Sequence, residues 1–425
     1  MNVLQDMLNK VLQESFSAEN IIAPIIKKKF KGLGISLSDK QQQQLKEQIK
    51  TNIFTGSFNL HFNEDNFLEC PLTLKDHPNA SVSLTIDVEQ ELANIDGKLK
   101  NIAKDLIPTI ASESAEIIYK TLKKSYFSHK KYHGSQLKPF YKSIEKDWGK
   151  PIDLLEMLCF LADEAGSEFN SEFRPSASKD NNFVFDVLTR LHARSCQITS
   201  EIILLLRSGF ADGAHARWRT LHEISIIGYF IAKHGNAMAE RYICHTAIEE
   251  FKAANAYQKH CETLGYEKLT AEAFGAIREK YEYYINKFGK SYRKQNGWAS
   301  LALGIDDPKI VDIEADVGLS HMRPYYQMAC HNVHANPKGI FFKLGLIPES
   351  GDILLAGPSN LGLSDPGHGT AISLLQITTT LLSSGEMNLD RLVILMILIN
   401  LERETGEAFY NADRKIKERI GDNER

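Results

Sequence analysis

The sequence predicts a mostly α-helical protein: a bundle of about eight helices preceded by a small N-terminal α+β accessory region. Apolar residues recur at three- and four-residue spacing over most of the chain after residue 150. Glycine and proline stand mainly between these segments. The strict alternation that is typical of strands occurs in two short segments near the N terminus. Long helices joined by short turns are typical of a bundle.

We assign residues 1–135 to the accessory or partner-binding region, through which a protein partner could be recruited. Spacing and alternation predict its elements in order: helices at 2–15 and 38–50, strands at 57–62 and 81–88, and a helix from about Glu89 to Lys124.

The segment from Lys123 to Lys142 is basic and contains several aromatic residues. Two interpretations are open. A solvated linker between the two regions would have this composition, and so would a surface that contacts a phosphate backbone.

Residues 136–425 form the predicted helical domain. Gly166, Gly209 and Gly235 follow apolar-periodic segments as helix stops, and Asp212 precedes one as an N-cap. The predicted helices span Ile152–Ala165, Asn182–Ser208, Asp212–His234, Ala237–Leu264, Ala271–Phe288, Pro324–Val333, about 370–383 and about 388–417.

Composition narrows the function classes. A formal charge of -4 and 43% hydrophobic residues argue against disorder and give no global case for nucleic-acid binding. Six cysteines without C-x-x-C spacing indicate a reducing, cytoplasmic setting rather than a disulfide framework or a cysteine zinc site.

The N terminus carries charges, unlike a secretory signal, and the apolar run at 392–399 is too short to span a membrane. Walker A, G-x-G-x-x-G and G-x-S-x-G motifs are absent, so we expect no cofactor.

The first candidate site segment is AHARWRTLHE at 214–223, where a helix begins that soon becomes strongly apolar. His215, Arg219, His222 and Glu223 share one face of that helix. Charged side chains are rarely buried unless they are paired or functional. A structural polar network and an active site both fit this pattern.

Two further polar patches follow. Arg241, His245 and Glu249 are each four residues apart, which is typical of a solvated, salt-bridged helix face but also allows His245 to face Arg219. His331 and His334 lie at the end of a later helix, where the helix dipole favours an imidazolium. Capping or packing histidines would have the same spacing.

Together these segments resemble a known family. ARWRTLHE at 216–223, RYICH at 241–245, YYQMACHNVHANPKG at 325–339 and GPSNLGLSDP at 357–366 are similar to a bacterial domain-of-unknown-function family, number five-six-seven-seven. The resemblance covers roughly residues 150–410 and implies a helical fold without a settled activity. A serine is commoner in the family where this chain has His331, which favours His334. The family pattern falls on Arg217, Arg219, His222, Glu223, Tyr242, His245, His334 and Asn336.

A weaker analogy is to HEPN ribonucleases of toxin and phage-defence systems. Arg217 and His222 have the R-x4-H spacing of their motif, but the final helix of this chain carries no histidine. The fold-level part of this analogy carries no function by itself.

Three functions are therefore open. The leading hypothesis is a metal-independent ribonuclease or other phosphodiester-acting toxin with RNA as its partner, acting as a homo-oligomer without a membrane. The second is a non-enzymatic sensor or scaffold that binds a nucleotide or another anion, and the third is a metallohydrolase, which no H-E-x-x-H motif supports. In the first, the roles are: His334 as base, His222 or His245 as acid, Glu223 orienting Arg219, and Arg217, Arg219, Arg241, Tyr242 and Asn336 binding substrate.

Overall fold

The structure is a computed structural model that describes residues 18–52, 57–61, 81–334, 336–347 and 353–423. Its contacts divide the chain into two compact units, Met1–His129 and Lys130–Arg425. The predicted mostly α-helical fold class is confirmed. The predicted helix at 2–15 and Ala335 of the V-H-A segment lie outside the described residues.

Within its described residues, the first unit contains two helices, an antiparallel pair of strands and the first part of a third helix, as the α+β prediction requires. Its core consists of side chains from both helices, among them Ile26, Phe30 and Leu45, which are fully buried. The strands pair antiparallel, with Ser57 opposite Thr85. The second strand is shorter than predicted because a helix already begins at residue 88. The elements are α1 (Ala18–Gly32), α2 (Asp39–Asn52), β1 (Ser57–His61) and β2 (Ser81–Thr85).

Helix α3 (Val88–Lys179) is continuous, which makes one predicted helix end wrong. The basic segment from Lys123 to Lys142 is helical, and the boundary between the two units falls within it. Its side chains are mostly exposed, so it lacks the apolar stripe by which a helix is recognised in a sequence. Gly166 lies inside the helix and does not end it. A Cβ at this position would lie 2.2 Å from Cε1 of His192, so the glycine serves a close helix contact.

Helices α4 (Phe183–Arg207) and α5 (Ala211–His234) match their predicted ranges closely. Gly209 has a φ of 76° and ends α4 as predicted. The predicted N-cap at Asp212 is wrong, because Phe210 occupies that position and Asp212 lies in the first turn. There its Oδ1 accepts a hydrogen bond of 3.1 Å from the backbone N–H of Leu344, which ties a later loop to the helix start.

The predicted helix from Ala237 to Leu264 is two helices that meet at His245. The predicted helix Ala271–Phe288 is confirmed, the one predicted at Pro324–Val333 begins one residue earlier, and the last two helices are longer than predicted. The elements after α5 are α6 (Asn236–Cys244), α7 (Thr246–His260), α8 (Ala271–Phe288), α9 (Ser300–Leu303), α10 (Ile310–Asp316), α11 (Arg323–Val333), α12 (Pro337–Phe341), α13 (Ser364–Leu382) and α14 (Leu389–Asn423).

Helix α5 is the centre of the second unit, because α4, α10, α11 and α13 all pack against it. Trp218 and Phe230 of α5 are almost fully buried in this core. Gly228 of α5 and Gly369 of α13 allow close packing, since a Cβ on either would lie 3.0 Å or less from a core side chain. Within the described ranges, no helix combines the length and apolarity needed to cross a bilayer.

The contact at Gly166 gives a stability prediction. Gly166→Ala should lower the free energy of unfolding by about 1–3 kcal/mol, because its methyl group overlaps the buried His192 ring. Gly275→Ala is the matched control, since Gly275 is also helical and a Cβ there has nothing within 4 Å. It should be neutral or stabilising by up to about 1 kcal/mol. Urea denaturation measures both, and equal effects of the two substitutions would contradict the close contact.

Candidate functional site

Arg219, Glu223 and Tyr326 form a partly exposed polar cluster where α5 meets α11. Arg219 Nη2 pairs with Glu223 Oε1 at 2.9 Å, as the i,i+4 spacing predicted. Arg219 Nε donates to the Tyr326 hydroxyl at 3.1 Å, and that hydroxyl donates to Glu223. The side chains of Arg219 and Glu223 are 24% and 30% exposed, so solvent reaches only the edge of the cluster.

Directly beneath it lies a second group that solvent does not reach. His222 Nε2 is 3.2 Å from Oε1 of Glu314 on α10, and both side chains are 0% exposed. Arg323, at the start of α11, forms an ion pair with the other oxygen of the same carboxylate. A buried carboxylate needs such partners, because leaving it unpaired costs several kcal/mol. The group thus joins three helices around one negative charge.

Burial is the main influence on the protonation of His222. It lowers the pKa of the imidazole, and the hydrogen bond to Glu314 opposes that shift without cancelling it. We assign the Nε2 proton to the bond with Glu314, which leaves Nδ1 as an acceptor without a partner in the described part of the chain. A neutral, enclosed imidazole of this kind cannot reach a substrate in this structure.

His215 belongs to the same buried layer. Its ring stacks on Trp218 at 5.3 Å, and Trp218 in turn stacks on His222 at 5.3 Å. Neither ring nitrogen of His215 has a hydrogen-bond partner among the described residues. Burial lowers its pKa from 6.5 to about 4, so this ring packs as a neutral aromatic group near pH 7.

The second predicted patch holds an irregular segment in place. Arg241 is 6% exposed and donates from Nε to the carbonyl of Trp298 at 3.0 Å. His245 Nε2 lies 3.0 Å from the carbonyl of Tyr292 and 2.9 Å from that of Lys294. These backbone carbonyls lie in the turns between α8 and α9 and need donors. Arg241 and His245 therefore fasten this segment to α6.

The third patch is local to the end of α11. Asn336 Nδ2 lies 2.8 Å from Nδ1 of His331, and the Asn336 side chain caps α12 through the N–H of Gly339. His334 is the C-cap residue of α11 and is exposed. His334 lies about 12 Å beyond Tyr326 along the helix axis, at a rise of about 1.5 Å per residue.

The structure therefore distributes the predicted site residues among separate networks. Arg219, His222 and Glu223 are together, whereas Arg217 forms an ion pair with Glu201 of α4 on another face. The patches around His245 and His334 have partners of their own, and the structure does not bring them into one pocket with His222. Sequence reasoning missed Glu314 and Tyr326, because neither lies in a pattern that differs from an ordinary helix face.

A groove that sequence reasoning did not identify lies between α4 and the start of α7. Its volume is about 780 Å³. Arg190 and Arg194 of α4 stand on one side, four residues apart, and Tyr242 and Trp298 form an aromatic wall with ring centroids 4.9 Å apart. Burial raises the pKa of Tyr242, and the nearby positive charge of Arg194 opposes that shift. The available signal was the R-x-x-x-R spacing, which places Arg190 and Arg194 on one face of the helix.

Fold and contacts thus define a helical bundle with an internal polar network and a groove beside it. Residues 185–351 match the model of a family described as a family of unknown function, DUF5677. This confirms the predicted family resemblance over those residues, a shorter range than the 150–410 expected. Comparison with curated proteins and with solved structures finds no match for the chain. The described residues contain no group of three or more His, Cys, Asp or Glu side chains arranged for a metal ion.

Tyr326 tests the network at its exposed edge. Tyr326→Phe should lower the free energy of unfolding by about 1–3 kcal/mol, because Arg219 and Glu223 each lose a hydrogen-bond partner. Tyr325→Phe is the control, since Tyr325 is 45% exposed. Chemical denaturation measures both, and an unchanged stability for Tyr326→Phe would mean that the hydroxyl contributes nothing to the network.

Because the protein buries neutral histidines, we expect its folding stability to decrease in acid. Because the folded pKa of His215 lies below its unfolded value, the unfolded state binds more protons between about pH 6.5 and 4. Stability should therefore fall as the pH falls through this window, by at most about 1.4 kcal/mol per pH unit for each such group. His215→Phe keeps a ring against Trp218 and should flatten the curve. The exposed His260→Gln variant should follow the wild-type slope, and parallel curves for all three proteins would refute the assignment.

Proposed function

We propose that the helical unit is a non-enzymatic sensor or scaffold that binds an anionic, nucleotide-sized ligand in the groove beside α4. The observation that carries this proposal is the position of Arg194, an exposed guanidinium on a groove with aromatic walls. The other hypotheses depend on a shared pocket of histidines or on a cluster of metal ligands.

The internal polar network supports a stabilising role rather than chemistry. His222 and Glu314 are both fully buried and bound to each other, so neither has free access to a substrate. Arg219 and Arg323 are each paired with a carboxylate, which leaves no excess positive charge to clamp a phosphate. A network of this kind determines how helices pack.

The groove offers the charge that the network lacks. In the described part of the chain, Arg194 takes part in no ion pair or hydrogen bond, while Arg190 pairs with Asp186 at 3.1 Å. A planar guanidinium suits phosphate and carboxylate groups because it donates two parallel hydrogen bonds. An anion bound at this rim would neutralise the charge of Arg194, which has no ion-pair partner among the described residues.

The walls of the groove favour a ligand with a planar ring. Tyr242 and Trp298 present aromatic surface, and Leu191 and Ile227 add apolar contacts. Ligand sites are typically apolar cavities of about 300–1,000 Å³ with a few polar groups that orient the ligand. The polar groups here include Glu249, which can accept a hydrogen bond from a base or a sugar, and Asn296, which can accept or donate one.

The ribonuclease hypothesis remains a prediction with weaker support. Its proposed base, His334, is exposed, whereas its first candidate acid, His222, is fully buried. The ring of the second candidate acid, His245, is hydrogen-bonded to two backbone carbonyls. Acid and base must both contact the reacting phosphodiester, and the separate networks of these histidines do not favour that.

Calorimetric titration with the four ribonucleoside monophosphates, and with inorganic phosphate alone, tests the proposal. We expect at least one nucleotide to bind more tightly than phosphate, since the aromatic walls add contacts. Arg194→Gln should weaken that binding about tenfold or more, which corresponds to about 1.4 kcal/mol. Arg278→Gln is the control, because Arg278 is an exposed arginine of α8 that pairs with Glu282.

Two results would overturn the proposal. One is the absence of binding by every nucleotide, and the other is binding that Arg194→Gln leaves unchanged. Incubation with total tRNA addresses the alternative directly. Cleavage by the wild-type protein that is lost in His334→Ala would replace this proposal with the ribonuclease hypothesis.

A further inference from the structure

The second half of α3 and helix α4 run antiparallel at unusually close range. Arg207, at the end of α4, pairs with Asp153 of α3 at 2.7 Å. Farther along, Gly166 of α3 lies against the ring of His192 near the start of α4. Cys159 of α3 and Cys196 of α4 lie between these two contacts and touch each other across the seam where the helices pack.

The two thiols share one set of contacts. Cys159 Sγ lies 3.6 Å from the backbone carbonyl of Cys196 itself and 3.9 Å from the hydroxyl of Ser200. Cys196 Sγ lies 3.9 Å from Nε2 of His192. Two cysteines can be bridged only when their Cα atoms lie within about 7 Å and their side chains point toward each other. The contact of Cys159 Sγ with the Cys196 carbonyl makes the two residues direct neighbours across the seam.

Solvent-borne reagents can reach the pair. A cavity of about 480 Å³ opens beside it and is lined by both cysteines, together with Glu156, Asp163 and Ser200. The cysteines themselves are only 7% and 6% exposed, so a small reagent has access while a protein does not.

The surroundings shift the pKa values of the two thiols in opposite directions. A hydrogen bond from Cys196 lowers the pKa of Cys159, although burial opposes this, and the same interaction raises the pKa of Cys196. The carboxylates of Glu156 and Asp163 oppose thiolate formation at Cys159. Because the thiolate is the nucleophile, this lowered pKa favours Cys159 as the attacking thiol.

We propose that Cys159 and Cys196 form a reversible intramolecular disulfide when the protein meets a peroxide, so that the seam between α3 and α4 is a redox modification site. The Cys159 thiolate attacks one oxygen of hydrogen peroxide, the O–O bond breaks, and a sulfenic acid and hydroxide result. The sulfur of Cys196 then displaces the sulfenic hydroxyl, and the thiol proton and hydroxide leave as water. In sum, two thiols and one peroxide give one disulfide and two waters.

This modification is compatible with a reducing compartment. The scattered cysteines give no structural disulfide framework, and cytosolic disulfides are usually transient and redox-sensing. Excess external thiol reverses the step by thiol–disulfide exchange. The reaction does not depend on the proposed nucleotide groove, because the two cysteines line a separate cavity that shares no lining residue with the groove.

Peptide mapping of the full-length protein tests the proposal without any variant. Native reduced protein is treated with dilute hydrogen peroxide, denatured, alkylated and digested without reductant. We expect a linked peptide that contains Cys159 and Cys196, the loss of two alkylatable thiols, and recovery of both after dithiothreitol. The product should run as a monomer on a non-reducing gel.

Four serine variants make the assignment specific. Cys159→Ser and Cys196→Ser should each abolish the linked peptide, whereas Cys244→Ser and Cys261→Ser should leave it in place. Far-UV circular dichroism shows that each variant is folded. The proposal is overturned when peroxide leaves both thiols alkylatable, when Cys159 is oxidised to sulfinic acid while Cys196 stays free, or when the bridge joins two chains.

Discussion

A single buried carboxylate constrains the packing of the second unit. Glu314 is fully buried on a short helix, and a carboxylate in such surroundings is tolerated only when partners supply hydrogen bonds and a compensating charge. His222 of α5 supplies the hydrogen bond and Arg323 of α11 supplies the charge. These three helices can therefore close on one another only in the arrangement that brings the three side chains together.

The same requirement explains why other polar residues of the chain are structural. The turns between α8 and α9 leave backbone carbonyls outside regular helices, and each needs a donor. Arg241 and His245 provide those donors, and the helical run breaks at His245, whose ring meets these carbonyls. Polar side chains whose spacing in the sequence suggests a catalytic helix face thus form hydrogen bonds that hold secondary-structure elements together.

The proposed ligand recognition depends on a group that has no ion-pair partner among the described residues. The interior histidines and arginines are engaged by carboxylates, carbonyls or ring stacking, whereas Arg194 has no ion pair among the described residues and lies on an aromatic groove. In the described part of the chain, the thiol of Cys159 contacts the Cys196 carbonyl, and the thiol of Cys196 contacts the His192 ring. Because Arg194 is exposed, its substitution is expected to leave the fold largely unchanged.

The sequence by itself determined the helical class and most helices of the second unit, because apolar periodicity and a stop such as Gly209 act within one or two turns. It did not distinguish Gly209 from Gly166, since the same residue type serves a left-handed turn and a close helix contact. It also assigned His222 and His334 to one candidate site. Only the tertiary structure decided that one is buried against Glu314, 92 residues away, and the other exposed, because pairing at that distance depends on packing and leaves no local pattern.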